Sequence, residues 1–126
     1  MSPEAVNYMT IAEAACQRAM RSFDAEIYEN AARYSYTAVL NAARAVIFDK
    51  TVTAPTTHSG TRSKFFELVH EGMPFDAELA QFLREGFETK QGIDYGPDLT
   101  SVWREQAQHY LNRAVAFIAA AKAVCD

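Results

Sequence analysis

The chain is short of cysteine, has no surplus of basic charge and contains no long apolar run. Its two cysteines, Cys16 and Cys125, stand near opposite ends of 126 residues. That is too few for the disulfide framework of a small secreted domain, and both are expected to be free thiols. There is no CxxC pair, and the three histidines, His58, His70 and His109, are scattered, so the common zinc frameworks are missing and no metal is expected. Lysine and arginine number 12 against 16 aspartates and glutamates, for a net charge of -4 and a pI near 5.3. This rules out a global basic field of the kind that drives sequence-blind nucleic-acid binding, and leaves any RNA contact to a local patch. No stretch approaches the roughly 18 apolar residues of a membrane span. The opening Met1-Ser2-Pro3-Glu4 carries no basic, apolar leader, so a cytoplasmic protein with no membrane attachment is expected. Walker, GxSxG, HExxH and GxGxxG signatures are all missing; no cofactor is expected, and no motif names an enzyme class.

What is present is helical. With 49% apolar and 22% charged residues the composition is that of a globular chain, and the length suits a single domain over residues 1–126 that buries its own core. Ser2 can cap a helix with Pro3 and Glu4 in its first turn. The stripe Val6, Met9, Ala12, Cys16, Ala19, Phe23 then recurs at steps of three and four, as one buried helix face requires. Asp24 reads as the next cap, and Ile27, Ala31, Tyr34, Ala38, Ala42, Ala45 and Phe48 form the seam of a second helix ending near Lys50. Residues 51–60 hold four threonines, a proline and a glycine without periodicity and read as a surface loop. A short helix with Phe65, Phe66, Leu68 and Val69 follows, stopped by Gly72 and Pro74. Asp76 opens a fourth, with Leu79, Phe82, Leu83 and Phe87, which decays at Gly92 to Pro97. Asp98 is placed as the cap of a fifth, whose stripe runs Trp103, Ala107, Tyr110, Ala114, Phe117, Ala121, Val124, with Trp103, Tyr110 and Phe117 filling space between alanines. The expected fold is all-α, an antiparallel up-and-down bundle of about five helices.

Two clusters could carry chemistry. In the first, His58 and Ser59 precede Arg62 and Lys64 at the start of helix three, where an imidazole, two cations and free backbone N–H groups could cradle an anion. The plainer readings are that His58 or Ser59 caps that helix and that the cations form a solvated face. In the second, Lys90, Asp94 and Tyr95 bring a cation, a carboxylate and a phenol to the end of helix four. Lysine and tyrosine ordinarily titrate near pH 10, so neither is a general base at pH 7 unless its surroundings shift it, and a structural turn is the alternative. Asn41 and Arg44 lie beside the alanine seam of helix two, where they line a groove or a subunit interface. His70 and His109 read as boundary or surface residues.

Taken in order, these segments carry a resemblance. Tyr36-Thr37-Ala38 followed by Asn41-Ala42-Ala43-Arg44 resembles the "YYA…hAAR" helix of small prokaryotic HEPN domains. Thr57-His58-Ser59-Gly60 resembles their "THSG" turn, and Lys90-Gln91 with Asp94-Tyr95 the "RQ…DY" end of their fourth helix. The likeness runs over roughly residues 10 to 122 in matching order.

The resemblance implies an antiparallel helical bundle that commonly forms homodimers and is often encoded beside a minimal nucleotidyltransferase, in two-component modules of toxin-antitoxin type. It also implies a link to RNA, since several HEPN lineages are metal-independent ribonucleases using an arginine and a histidine a few residues apart at the end of this helix. The matching positions here are Lys90 and Tyr95. Lysine keeps the charge without the planar, two-pronged grip of arginine, and tyrosine lacks the proton-shuttling range of imidazole. The expectation is therefore a component that binds a nucleotide, RNA or a partner protein around His58, Ser59, Arg62, Lys64, Lys90, Asp94 and Tyr95. The alternative is a ribonuclease with a degenerate motif, Lys90 and Tyr95 acting with His58. An apolar surface larger than a small bundle can bury internally also favours a homodimer.

Overall fold

Ser2 begins the first helix as its sequence context requires: its hydroxyl accepts the Ala5 N–H at 3.2 Å, with Pro3 in the first turn. The computed structural model describes residues 1–95 and 103–125, with the side chains of Asp94 and Tyr95 left out of that description. Asp98 lies outside the described residues. Five helices are present among them and no strand: α1 (Pro3–Asp24), α2 (Tyr28–Thr51), α3 (His58–His70), α4 (Ala77–Tyr95) and α5 (Arg104–Val124). The arrangement is the expected all-α bundle. None of the helices searched is long and apolar enough to cross a membrane.

The central element is α2, which packs on all four others, most extensively on α1. Its alanines explain this. Ala31, Ala38, Ala42, Ala43 and Ala45 are fully buried, and small side chains let neighbouring helices come close while Val39, Val46 and Ile47 fill what remains. A second filler is the ring cluster of Phe65, Phe75 and Phe117, with centroids 4.8 to 5.4 Å apart. It joins α3, the segment leading into α4, and α5.

Several boundaries differ from the sequence expectation. Asp24 belongs to α1, and the cap position of α2 falls to Ile27 without a side-chain bond; the tight link bends through Glu26 at φ +63°. Val6 is exposed, and Ala5 takes its place in the buried stripe. The loop after α2 is shorter than expected, because His58, Ser59 and Gly60 already form the first turn of α3. At the other end of α3 the chain turns at Gly72, φ +106°, a conformation that favours glycine. Asp76 does cap α4, its Oδ1 accepting the N–H groups of Glu78 and Leu79. The helix then continues through Gly92 to Tyr95 instead of decaying there. Trp103 is 66% exposed and is not a core residue, since it occupies the cap position of α5, where its backbone N–H donates to Gln106 Oε1 at 3.1 Å.

Candidate functional site

The start of α3 is built by its neighbours. Thr57, not His58 or Ser59, is the cap: its Oγ1 accepts the Gly60 N–H at 3.0 Å. A side chain at Gly60 would put its Cβ 2.7 Å from that same Oγ1 and 3.0 Å from Pro55 Cβ, so glycine is what allows the cap to close. Arg44, reaching across from α2, ties the turn down. Its Nε donates to Thr61 Oγ1 at 3.3 Å and its Nη2 to the Thr56 carbonyl at 3.2 Å. Arg44 thus supports the turn and brings a positive charge behind it. Asn41 is buried and donates to the Thr37 carbonyl at 2.9 Å, a role internal to α2.

Thr57's capping releases His58 for other contacts. Its Nδ1 is 2.9 Å from the hydroxyl of Tyr36, and the two rings stack, 5.7 Å between centroids with planes 12° apart. Phe87 of α4 closes the group, 5.5 Å from His58 and 5.9 Å from Tyr36. Tyr36 is fully buried and meets α4 at Gly86, where an added Cβ would lie 2.9 Å from the ring; the absence of a side chain there is what lets the helix approach. Over the outer face of Phe87 lies the Arg62 guanidinium, 4.1 Å from the centroid, at the separation of a cation–π contact. Arg62 Nη1 is buried without a hydrogen-bond partner among the described residues.

Thr57, His58, Ser59, Arg62, Phe87, Lys90 and Gln91 line a cleft of about 340 Å³ between the start of α3 and the end of α4. No carboxylate among the described residues lines it. The electrostatics agree. The pKa of His58 is pushed below 6.5, first by burial and then by the charges of Arg44, Lys90 and Arg62, so the ring is neutral at pH 7. Burial raises the Tyr36 phenol above 10, against the opposing effect of Arg62 and then Arg44, so it keeps its proton. A guanidinium can only donate. With Arg62 beside it, the phenol oxygen is placed to accept there and to donate its proton to His58 Nδ1. That assigns the ring hydrogen to Nε2. His58, which lines the cleft, is then a neutral N–H donor at Nε2.

The structure thus brings together four of the residues singled out from sequence, His58, Ser59, Arg62 and Lys90. Lys64 does not line the cleft; its Nζ is 3.2 Å from Glu67 Oε1. The side chains of Asp94 and Tyr95 lie outside the described residues. His109 is exposed beside Tyr110, and His70 sits at the exposed end of α3. Sequence reasoning missed Tyr36 and Phe87 as parts of the site. Tyr36 enters through the Tyr36-Thr37-Ala38 resemblance alone, and Phe87 as an apolar residue of the fourth helix beside a mid-helix glycine.

A depressed His58 pKa fixes the sign of a pH dependence. Between the native pKa and 6.5 the unfolded chain binds a proton that the native state does not, so stability falls as pH falls through that window and is fully present above it. Denaturation midpoints are expected to drop on acidification from pH 7 to 5, and His58→Gln should remove part of that drop. An unchanged slope in the variant would show that His58 does not contribute.

Compared with known families, the chain matches the model of the HEPN domain over residues 5–124. No curated protein matches it.

Proposed function

The chain belongs to the HEPN domain family, and on that premise we propose that it is a nucleotide- or RNA-binding component that acts as a homodimer beside a minimal nucleotidyltransferase, in a two-component module of toxin-antitoxin type. The observation that supports the binding role is the charge of the cleft. On a chain of net charge -4, Arg44, Arg62 and Lys90 converge on one neutral histidine, in a cleft lined by no described carboxylate. Phosphate suits this set. A guanidinium held over an aromatic ring, an ammonium and a neutral imidazole N–H are donors for its oxygens.

Binding of a labelled short single-stranded RNA, followed by fluorescence anisotropy, tests the reading. Affinity in the micromolar to submillimolar range is expected at low salt, with log K falling against log salt at a slope of about -0.7 per neutralised phosphate. No binding of RNA or nucleotide at millimolar concentration in low salt would remove the proposal. Incubation of the same samples tests the alternative, a ribonuclease built on Lys90, Tyr95 and His58. A general base there needs an unprotonated ring nitrogen facing the substrate, whereas His58 presents a donor; intact RNA is expected.

A further inference from the structure

A second groove continues from the first. About 660 Å³ in volume, it runs between α3 and α4 toward the end of α3, and Ser59 and Arg62 line both. Arg62 therefore stands between two lobes. The near lobe has Lys90 as its second cation and Phe87 as its aromatic ring. The far lobe repeats this pairing with Arg84 and Phe66, the Arg84 guanidinium lying 5.6 Å from the Phe66 ring centroid. Glu67, the one acid among the described residues of the far lobe, is 3.2 Å from Lys64, which offsets its charge.

Arg84 and Lys90 are six positions apart on α4, about 9 Å along its axis at 1.5 Å per residue. That separation exceeds the width of one phosphate group, so the pair suits two successive phosphates. Two arginine–ring pairs along the groove match a single strand, where cations follow the backbone and bases stack on aromatic rings or on arginine guanidinium planes. We infer that the far lobe is a second nucleotide subsite, so that the ligand is a strand of at least two linked nucleotides seated across Arg62. The inference rests on the phosphate-binding reading above and adds to it the length of the ligand and a residue, Arg84, that selects for that length.

The test compares a tetranucleotide with adenosine monophosphate on the full chain, in wild type and Arg84→Ala. Arg84 is exposed, so the variant should fold, which circular dichroism checks. Wild type is expected to bind the tetranucleotide at least about fivefold more tightly than the mononucleotide, and Arg84→Ala to lose most of that advantage, with a salt slope shallower by about 0.7. Phe66→Leu, which keeps an apolar side chain, should reduce the advantage without altering the salt slope. Equal binding of the two ligands, or a tetranucleotide advantage that survives in Arg84→Ala, overturns the second subsite and leaves the first standing. Failure of both ligands to bind wild type overturns the underlying reading and the subsite with it.

Discussion

Replacing Arg62 by alanine is expected to lower affinity for short single-stranded RNA at least about tenfold while leaving thermal stability unchanged or slightly higher. The two effects have opposite causes. A charge-assisted hydrogen bond contributes about 1.5–3 kcal/mol, and Arg62 lines both lobes of the groove, so its loss reaches the whole ligand. In the free protein, however, its Nη1 is buried without a hydrogen-bond partner among the described residues, an arrangement that costs about 1–3 kcal/mol and is offset in part by the contact with Phe87. Removing the side chain removes both, together with its bond to the Tyr36 phenol, so the net change in stability is small. Arg62→Lys should recover charge but not the forked guanidinium, giving intermediate affinity. Titration with labelled RNA and a thermal melt on each variant measure the pair of effects. A marked loss of stability in Arg62→Ala with affinity retained would mean that the arginine is structural.

The second large effect is expected at Tyr36. Tyr36→Ala empties a fully buried ring position and should cost about 3–5 kcal/mol, a fall in melting temperature on the order of ten degrees. The hole opens against Gly86, on a helix whose close approach leaves little else to fill it. Tyr36→Phe keeps the ring and deletes the hydroxyl with its bond to His58 and its contact with Arg62. Its stability cost should be about 1 kcal/mol, but the imidazole loses the partner that fixes its tautomer, so RNA affinity should fall more than the small stability change suggests. Denaturant unfolding of both variants, together with an RNA titration of Tyr36→Phe, checks this. A Tyr36→Phe protein that binds as wild type would show that the His58 ring is not oriented through the phenol.

Much of the fold was legible in the sequence because it depends on periodicity. The alanine seam of α2 and the Ala107, Ala114, Phe117, Ala121 face of α5 follow from three- and four-residue steps that only a helix makes one-sided. Ends were less legible. Trp103 fits the stripe of α5 by spacing, yet it lies at the cap position, where a large ring has no neighbouring helix to cover it. Thr57, one of four threonines in its segment, becomes the cap because Gly60, three residues on, leaves room for its hydroxyl. Sequence spacing cannot weigh one such hydroxyl against another.

The site was half legible. His58, Arg62 and Lys90 stood out as polar residues at helix ends, but the residues that arrange them did not. Phe87 read as an apolar residue of the fourth helix, Tyr36 counted only toward the resemblance, and nothing marked Gly86. Their part in the site comes from the contact of α2 with α4, 50 residues apart in sequence between Tyr36 and Gly86. No local pattern records that contact. Arg44 is similar: one helix turn along the alanine seam from Asn41, it differs by its reach to Thr56 and Thr61, which only the packed structure supplies.

The most direct test of the phosphate-binding cleft is its location by nuclear magnetic resonance, following the side-chain resonances of His58, Arg44, Arg62 and Arg84 during titration with a short single-stranded RNA. The expected result is a concerted, saturable shift of the His58 ring and Arg62 guanidinium signals, with Arg84 following when the strand is long enough, and no comparable change on the outer faces of α1 and α5. Shifts confined to those outer faces, with His58 and Arg62 unmoved at saturation, would contradict it.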